Sequence, residues 1–471
     1  MKQAQITLGV APTRRNLFSR EKALSHKEAI YKRLHDMNVK FVDIEDVGEE
    51  GLLYGSHTVQ KVVDKFRKAG VDALFFPHVN FGTEDLVCKV AADMKLPMLL
   101  WGPRDAAPLE DGTRETDSQC GLFATGKVLR RFKLPFNYLT NCALDDELFV
   151  RGIETFLRVA NVVKEFKNLK ILQISTRPSD FWTMMCNEGE LLERFGIQIH
   201  PIAMPDLAAR VKKLEKNPSK KMLDIIAYME RNIEIHVEEK AVNAIAALTC
   251  SMHSLAEENG CKAIAIQCWN TLQGQIGIMP CAANGMLTDM GLPVVCETDI
   301  HGAITSVITQ AAALNSTPTF FADWTIRHPE NDNGELLQHC GPFPISLARG
   351  SKHLVNPFCF AGYPGAVTQE LKRGDVSVLR FDGDNGEYSL LAAKAKVIDG
   401  PFNNGSYGWI EVENWPRLER KLVEGPYVHH CVGIYADVLP VLLEAERYLG
   451  FTVDFTSESE KENALNYLLG E

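Results

Sequence analysis

The sequence has no run of about eighteen apolar residues, the length a helix needs to cross a bilayer, so no membrane-spanning segment is expected. Residues 1–10 carry one lysine and no long apolar stretch, and they do not read as a secretory signal. No pair among the twelve cysteines has C-x-x-C spacing, which removes the usual zinc and dithiol patterns. Without an export signal the thiols read as reduced, mostly buried side chains of a cytoplasmic protein. Positive charge is also short. The chain has 50 Lys and Arg against 61 Asp and Glu, a net charge of -11. Such a surface offers little to replace the counterions of a nucleic acid or to hold an anionic membrane. There is no G-x-G-x-x-G fingerprint and no H-E-x-x-H motif. Gly121 to Lys127 fits G-x-x-x-x-G-K, but Val128 stands where Ser or Thr should hold Mg²⁺, and the polar stretch 115–119 replaces the expected strand. A nucleoside triphosphatase is therefore not expected.

What is present is a globular composition, 45% hydrophobic and 24% charged, in 471 residues, too many for one core. Short apolar runs at 6–10, 39–44, 73–77 and 97–101 alternate with helical patterns at 20–34, 58–69 and 83–94, the rhythm of βαβ units on a parallel sheet. In 145–166, Phe149, Ile153, Phe156, Ala160 and Val163 form one apolar face of a long helix. The alternation restarts at 169–174 and continues through apolar runs ending at 202, 268, 297 and 323. After about 324 the pattern turns β-rich, with a hairpin signal at Asn385-Gly386 and a last helix at 436–450. The expected fold is α/β: two doubly wound parallel-sheet domains (1–167 and 168–326), then a C-terminal β-barrel-like domain with a terminal helix (327–471).

Ligands of open α/β sheets sit at the carboxyl ends of strands. Glu297 follows Pro293-Val294-Val295-Cys296, and Asp323 follows Thr319-Phe320-Phe321-Ala322. A carboxylate directly after a buried strand is costly unless paired, hydrogen-bonded or metal-bound. Two of them could converge on one ion. Each also reads more plainly: Glu297 and Asp299 as helix caps, Asp323 as the start of a loop. His339, in Gln338-His339-Cys340-Gly341, and the pair His429-His430 could complete a mixed N/O ligand set. Such a set suits Mn²⁺, and less exclusively Co²⁺, Fe²⁺ or Zn²⁺. Residues after other strand ends are candidate substrate contacts: Arg14 and Arg15, His78 and Asn80, and Gln267, Trp269 and Asn270. Trp269 reads equally as a cover for a sugar face or as core, and Trp101 reads as packing.

Glu297-Thr298-Asp299, Phe321-Ala322-Asp323-Trp324, the Gln338–Gly341 loop and His429-His430, in this order, resemble the L-fucose/L-arabinose isomerase family. So do Gly9-Val10-Ala11-Pro12-Thr13-Arg14-Arg15 and, more weakly, Trp182. The resemblance implies an Mn²⁺-dependent aldose–ketose isomerase acting on an open-chain sugar through a cis-enediol. It implies that Glu297 and Asp323 serve as metal ligands and acid/base pair. His430 is implied as a ligand with His429 its rival, and His339 as a further ligand or substrate contact. Asp323 agrees with the fucose branch, since the arabinose branch has Glu there. Some members act on sulfoquinovose, a 6-sulfonated hexose, for which Arg14, Arg15 and Arg177 offer a clamp. The family also implies homo-oligomers, commonly hexamers, whose sites are shared between subunits. Two other readings stay open: a cytosolic sugar-binding sensor, and a metal-dependent hydrolase or lyase.

Overall fold

A computed structural model describes residues 1, 3–357 and 362–471. The first sheet holds β1 (Thr7–Val10), β2 (Lys40–Val42), β3 (Ala73–Pro77), β4 (Met98–Trp101) and β5 (Asn137–Tyr138). All are parallel, in the order β2-β1-β3-β4-β5. β1, β3 and β4 are apolar and buried along their length, as strands covered by helices must be. Val62, Val63 and Phe66 of the helix Thr58–Ala69 and Leu86, Val87, Val90 and Ala91 of the helix Glu84–Met94 pack into this core. Trp101 is fully buried against Phe149 and Phe75, a packing residue as its sequence position suggests.

A second parallel sheet contains β6 (Lys170–Ile174), β7 (Gln198–Ile202), β9 (Ala263–Ile266) and β10 (Val294–Val295), ordered β10-β9-β6-β7. The two-residue β8 (Glu234–Ile235) belongs to a third sheet. That sheet continues with β11 (Thr319–Arg327), β12 (Gly334–His339), β13 (Ala348–Val355), β14 (Ala366–Leu371), β15 (Gly374–Asp384), β16 (Glu387–Ile398), β17 (Ser406–Val412), β18 (His430–Ile434) and β19 (Thr452–Phe455). Six of its strands close on themselves. β11 pairs with β12, β12 with β17, β17 with β16, β16 with β15, β15 with β18, and β18 with β11, all antiparallel. The chain is thus mixed α/β with parallel sheets and a C-terminal six-stranded barrel followed by a terminal helix, Glu458–Leu469. The barrel is filled by Phe320, Ala322, Trp324, Leu337, Val378, Leu391, Ile410 and Cys431 among others. Asn385 and Gly386 form the hairpin turn between β15 and β16, both with positive φ.

The chain divides into two compact units. One comprises Ala4–Lys164, Pro440–Leu449 and Glu462–Glu471 and carries the first sheet. Inside it, Asn137 Nδ2 donates to Glu444 O (3.2 Å), Tyr448 Oη donates to Met98 O (3.2 Å), and Arg151 lies over the Tyr467 ring. The other comprises Met1–Gln3, Glu165–Leu439 and Gly450–Lys461, with the second and third sheets.

Three sequence readings change. Asp323 does not end a strand of a parallel sheet; it sits inside β11, which runs on to Arg327 and belongs to the barrel. His339 is the last residue of β12 rather than a loop residue. A strand and a further helix follow the helix near 436–450. The Gly121–Lys127 string lies within the helix Ser118–Arg131, where a Cβ on Gly121 would stand 1.6 Å from Phe81 O. Close helix–loop approach therefore accounts for that glycine, and no phosphate loop forms. The cysteines described are all free thiols, most of them buried, and Cys359 lies outside the described residues. Among the described residues no helix is long and apolar enough to cross a membrane.

Candidate metal centre and active site

Within the second unit, the turn after β10 and the strands β11, β12 and β18 bring Glu297, Asp323, His339 and His430 together. After β10 the chain turns through Glu297 and Thr298, both left-handed (φ 53° and 57°), and enters the helix Ile300–Ala312. Two consecutive non-glycine residues in that region, one β-branched, are strained. The strain sets Glu297 apart from the helix axis and leaves Asp299 as its N-cap, accepting from Gly302 N (2.8 Å). Asp323 and His430 are direct cross-strand partners of β11 and β18. Because side chains alternate along a strand, both lie on the face opposite Phe320, Ala322, Trp324 and Cys431, outside the barrel filling. Phe321, on that same outer face, meets the His430 ring at 4.7 Å and the His339 ring at 5.6 Å.

The donor atoms converge. His430 Nε2 is 3.8 Å from Glu297 Oε2 and 3.4 Å from Asp323 Oδ1. His339 Nε2 is 3.4 Å from Glu297 Oε2. Glu297 Oε2 and Asp323 Oδ1 are buried, and no well-aligned hydrogen bond reaches either. Burial pushes the Glu297 carboxyl up, but His339, His430 and the Cys268 thiol outweigh it, and its pKa lies below the ordinary value. Two carboxylate oxygens with unfilled lone pairs, beside an imidazole nitrogen, form a donor set that fits a divalent cation.

The two histidines differ in what their other nitrogen does. His430 Nδ1 donates to Asp299 Oδ2 (2.9 Å); a carboxylate only accepts, so the proton sits on Nδ1 and the Nε2 lone pair is free. Asp299 is held in turn by Arg380, which is 1% exposed, with Nη2 donating to Asp299 Oδ1 at 3.2 Å and Nη1 to Oδ2. Burial pushes the Asp299 carboxyl up, yet Arg380 and His430 outweigh it and hold it far below the usual range. Arg380 Nε also donates to Asp382 Oδ2 (2.8 Å), and Asp382 accepts from His301 Nδ1 (2.9 Å). In His339, by contrast, Nδ1 accepts the Cys340 N–H (2.9 Å), so the ring proton is on Nε2, the nitrogen facing Glu297. His429 is exposed, with its ring 4.3 Å from that of His430. It also groups with Asp323 and His430.

Cys268, Cys296 and Glu297 also cluster. Cys268 Sγ donates to Glu297 Oε1 (3.2 Å), and burial pushes that thiol up to about 11, so it stays protonated and orients the carboxylate rather than acting as a thiolate ligand.

A cavity of 720 Å³ adjoins this cluster, lined by Thr298 next to Glu297 and by Gln173, Arg177, Gln267, Asn270 and Ile300. Gln267 Oε1 accepts from Ser175 Oγ (2.7 Å). Asn270 is left-handed (φ 72°). Arg177 Nη1 donates to the carbonyls of Pro178 and Ser179 (both 3.1 Å). Trp269 packs edge-on against Phe181 and beside Met279 and Cys281. Trp182 is exposed.

The remaining candidates lie in the first unit, engaged locally. Arg14 Nε donates to Glu50 Oε2 (2.6 Å) and its guanidinium covers Tyr54. Arg15 pairs with Glu84 and lies over Phe81. Asn80 Oδ1 accepts from the backbone of Arg15 (2.8 Å) and Phe81 (2.6 Å). His78 Nδ1 donates to Phe81 O (2.8 Å), and burial pushes its pKa down to about 4.

Sequence reading missed Arg380, Asp382, His301 and the second task of Asp299. One signal was there: Arg380 and Asp382, two apart, interrupt an apolar β run, and charges on one strand face survive burial only when paired.

Residues 9–167 match the family described as "Fucose/sulfoquinovose isomerase, N-terminal domain". A sulfoquinovose isomerase of Priestia aryabhattai is 26% identical over 412 residues, covering 86% of this chain and 90% of that protein. Another, of Alkalicoccus urumqiensis, is 26% identical over 388 residues, covering 81% and 85%. Among solved structures, a periplasmic solute-binding protein of Actinobacillus succinogenes with bound D-allose is 11% identical and covers 66% of this chain and 92% of that one; its TM-score of 0.17 carries no argument.

Proposed function

We propose, from the match of residues 9–167 to the fucose/sulfoquinovose isomerase N-terminal domain and the 26% identity to sulfoquinovose isomerases over most of the chain, that this chain is a divalent-metal-dependent aldose–ketose isomerase of that family whose reacting centre is the Glu297, Asp323 and His430 cluster. The observation that carries this reading is the pair of buried carboxylate oxygens, one on a turn and one on a barrel strand, unfilled on either side of the His430 lone pair. Glu297, Asp323 and His430 would hold the cation. Two carboxylates and one imidazole, with positions left open, favour Mn²⁺. The cation would supply charge stabilisation for two vicinal sugar oxygens.

The chain's own groups move the proton. An open-chain aldose lies in the cavity beside Thr298 with C1 and C2 between the carboxylates. One carboxylate takes the proton from C2 and returns it to C1, while the partner carboxylate passes the O2 hydroxyl proton to O1, so that the cis-enediol between them becomes the ketone. Glu297, kept ionised by its neighbours, suits the role of base, and Asp323 that of its partner. His339, with its proton on Nε2, steadies the Glu297 oxygen or a substrate hydroxyl rather than ligating. Gln267 and Asn270 bind hydroxyls along the cavity. Arg177 meets an anionic end group, which favours sulfoquinovose over L-fucose or L-arabinose. Arg14, Arg15, His78 and Asn80 serve a site on a neighbouring copy in a homo-oligomer.

A sugar panel with added Mn²⁺, read out as ketose formation, tests the proposal. The expected result is turnover of sulfoquinovose, lost with chelator, restored by Mn²⁺, and lost in Glu297→Gln. Undiminished turnover after metal removal would refute the mechanism, and binding of sugars without any turnover would favour a sensor.

A further inference from the structure

A second group of donors stands on the outer edge of the third sheet, sharing no residue with the cluster above. β8 is two residues long and pairs in parallel with β13, placing Glu234 opposite His353. His236 follows, its N–H donating to Leu354 O (3.0 Å). The two imidazoles stack with centroids 5.3 Å apart and planes 30° from parallel. His236 Nε2 is 3.1 Å from His353 Nδ1, and Glu234 Oε2 is 3.3 Å from His353 Nδ1 and 3.9 Å from His236 Nε2.

We infer that Glu234, His236 and His353 form a second cation site, one for Zn²⁺ or a similar borderline transition-metal ion, that ties β8 to β13. The spacing is what carries this. Ligands about 2.0–2.1 Å from a tetrahedral Zn²⁺ stand roughly 3.3 Å from one another. The three separations bracket that value, so the face is already set for a metal and water completes it.

One imidazole proton can be shared among these atoms, but a cation would engage both imidazole lone pairs and the carboxylate at once.

The ligand types also separate this site from the buried one. Two imidazoles and one carboxylate favour Zn²⁺, Co²⁺, Ni²⁺ or Cu²⁺ over Mg²⁺, Ca²⁺ or Mn²⁺, whereas two carboxylates and one imidazole suit Mn²⁺. All three donors reach solvent, so the site can load in the folded protein. A two-residue strand at a sheet edge gains most from such a tie, because few backbone bonds hold it.

The test is Zn²⁺ stoichiometry of the full-length chain by equilibrium dialysis and elemental analysis, for the wild type and for the His236→Ala/His353→Ala double variant. The wild type is expected to hold about one more Zn²⁺ per chain than the double variant, while Mn²⁺-supported turnover of the variant stays within about twofold of wild type. Glu234→Gln should keep the fold and weaken the outer site about tenfold. Equal stoichiometry and affinity in wild type and double variant would overturn the inference. So would a wild type whose only Zn²⁺ disappears in Glu297→Gln. The first of these results leaves the isomerase reading untouched, and loss of turnover in Glu297→Gln leaves the outer site untouched.

Discussion

Asp299→Asn isolates the electrostatic support of the proposed metal centre with almost no change of shape. Asp299 accepts from three donors at once: Gly302 N–H, His430 Nδ1–H and the Arg380 guanidinium. An amide can keep the helix cap through its oxygen, but its NH₂ then faces a donor. The relief available is for His430 to move its proton to Nε2 and accept at Nδ1. That removes the lone pair aimed at Glu297 and Asp323. Loss of such an outer partner typically costs about ten- to hundred-fold in metal affinity, or about 1.4–2.7 kcal/mol. Stability should fall too. Arg380 is buried and loses one of two carboxylates; removing the sole partner of a buried charge costs about 3–5 kcal/mol, and with Asp382 remaining, about 2 kcal/mol is the reasoned figure. Titration calorimetry with Mn²⁺ measures the first quantity, and urea unfolding of the metal-free protein the second. Mn²⁺ affinity within twofold of wild type would refute the tautomer argument, whatever happened to turnover.

Three further outcomes follow from the same geometry. His430→Gln should abolish measurable Mn²⁺ binding, while His339→Gln should cost less than about tenfold in Mn²⁺ affinity but about a hundred-fold in kcat/KM; equal losses of affinity by calorimetry would make His339 a ligand. Gly302→Ala should weaken Mn²⁺ binding without altering any charge, because its Cβ would meet Asp299 Oδ2 at 2.6 Å and Phe321 Cε2 at 2.7 Å, and should cost about 1–3 kcal/mol in urea unfolding. Glu335, in the barrel, is pushed up to about 7 by burial and then by Glu419. A carboxyl raised in the fold from an ordinary 4.5 stabilises it fully at low pH and loses that contribution as pH rises through about 7. Glu335→Gln should therefore flatten stability between pH 4.5 and 8, raising it at pH 8 by at most about 3 kcal/mol relative to wild type; an unchanged pH profile would reject the assignment.

The parallel sheets were legible because each strand is a short apolar run between amphipathic helices, and that pattern is local. The side chains that converge at Glu297 stand out in the sequence too, as acids and imidazoles beside apolar runs. What stayed hidden was how they meet. The run before Asp323 looks like one more strand of a parallel sheet; its pairing with β18, more than a hundred residues later, is a long-range fact that no local period encodes. The same holds for closure of the barrel through β16 and β17. Asp299 reads as a cap in sequence and is one, but its other oxygen serves an imidazole that sequence cannot place beside it.

The unit that carries the first sheet is not finished by its own neighbourhood in the chain. Asn137 and Met98 wait for Glu444 and Tyr448, and Asn137 meets Glu444 across 307 positions. During synthesis this unit emerges first but cannot close until almost the whole polypeptide has left the ribosome. Its incomplete form must survive meanwhile with the side chains that later meet 440–449 and 462–471 uncovered. A fragment stopped near residue 167 should therefore be prone to aggregate, and supplying the missing helices as a separate peptide is the rational way to rescue it.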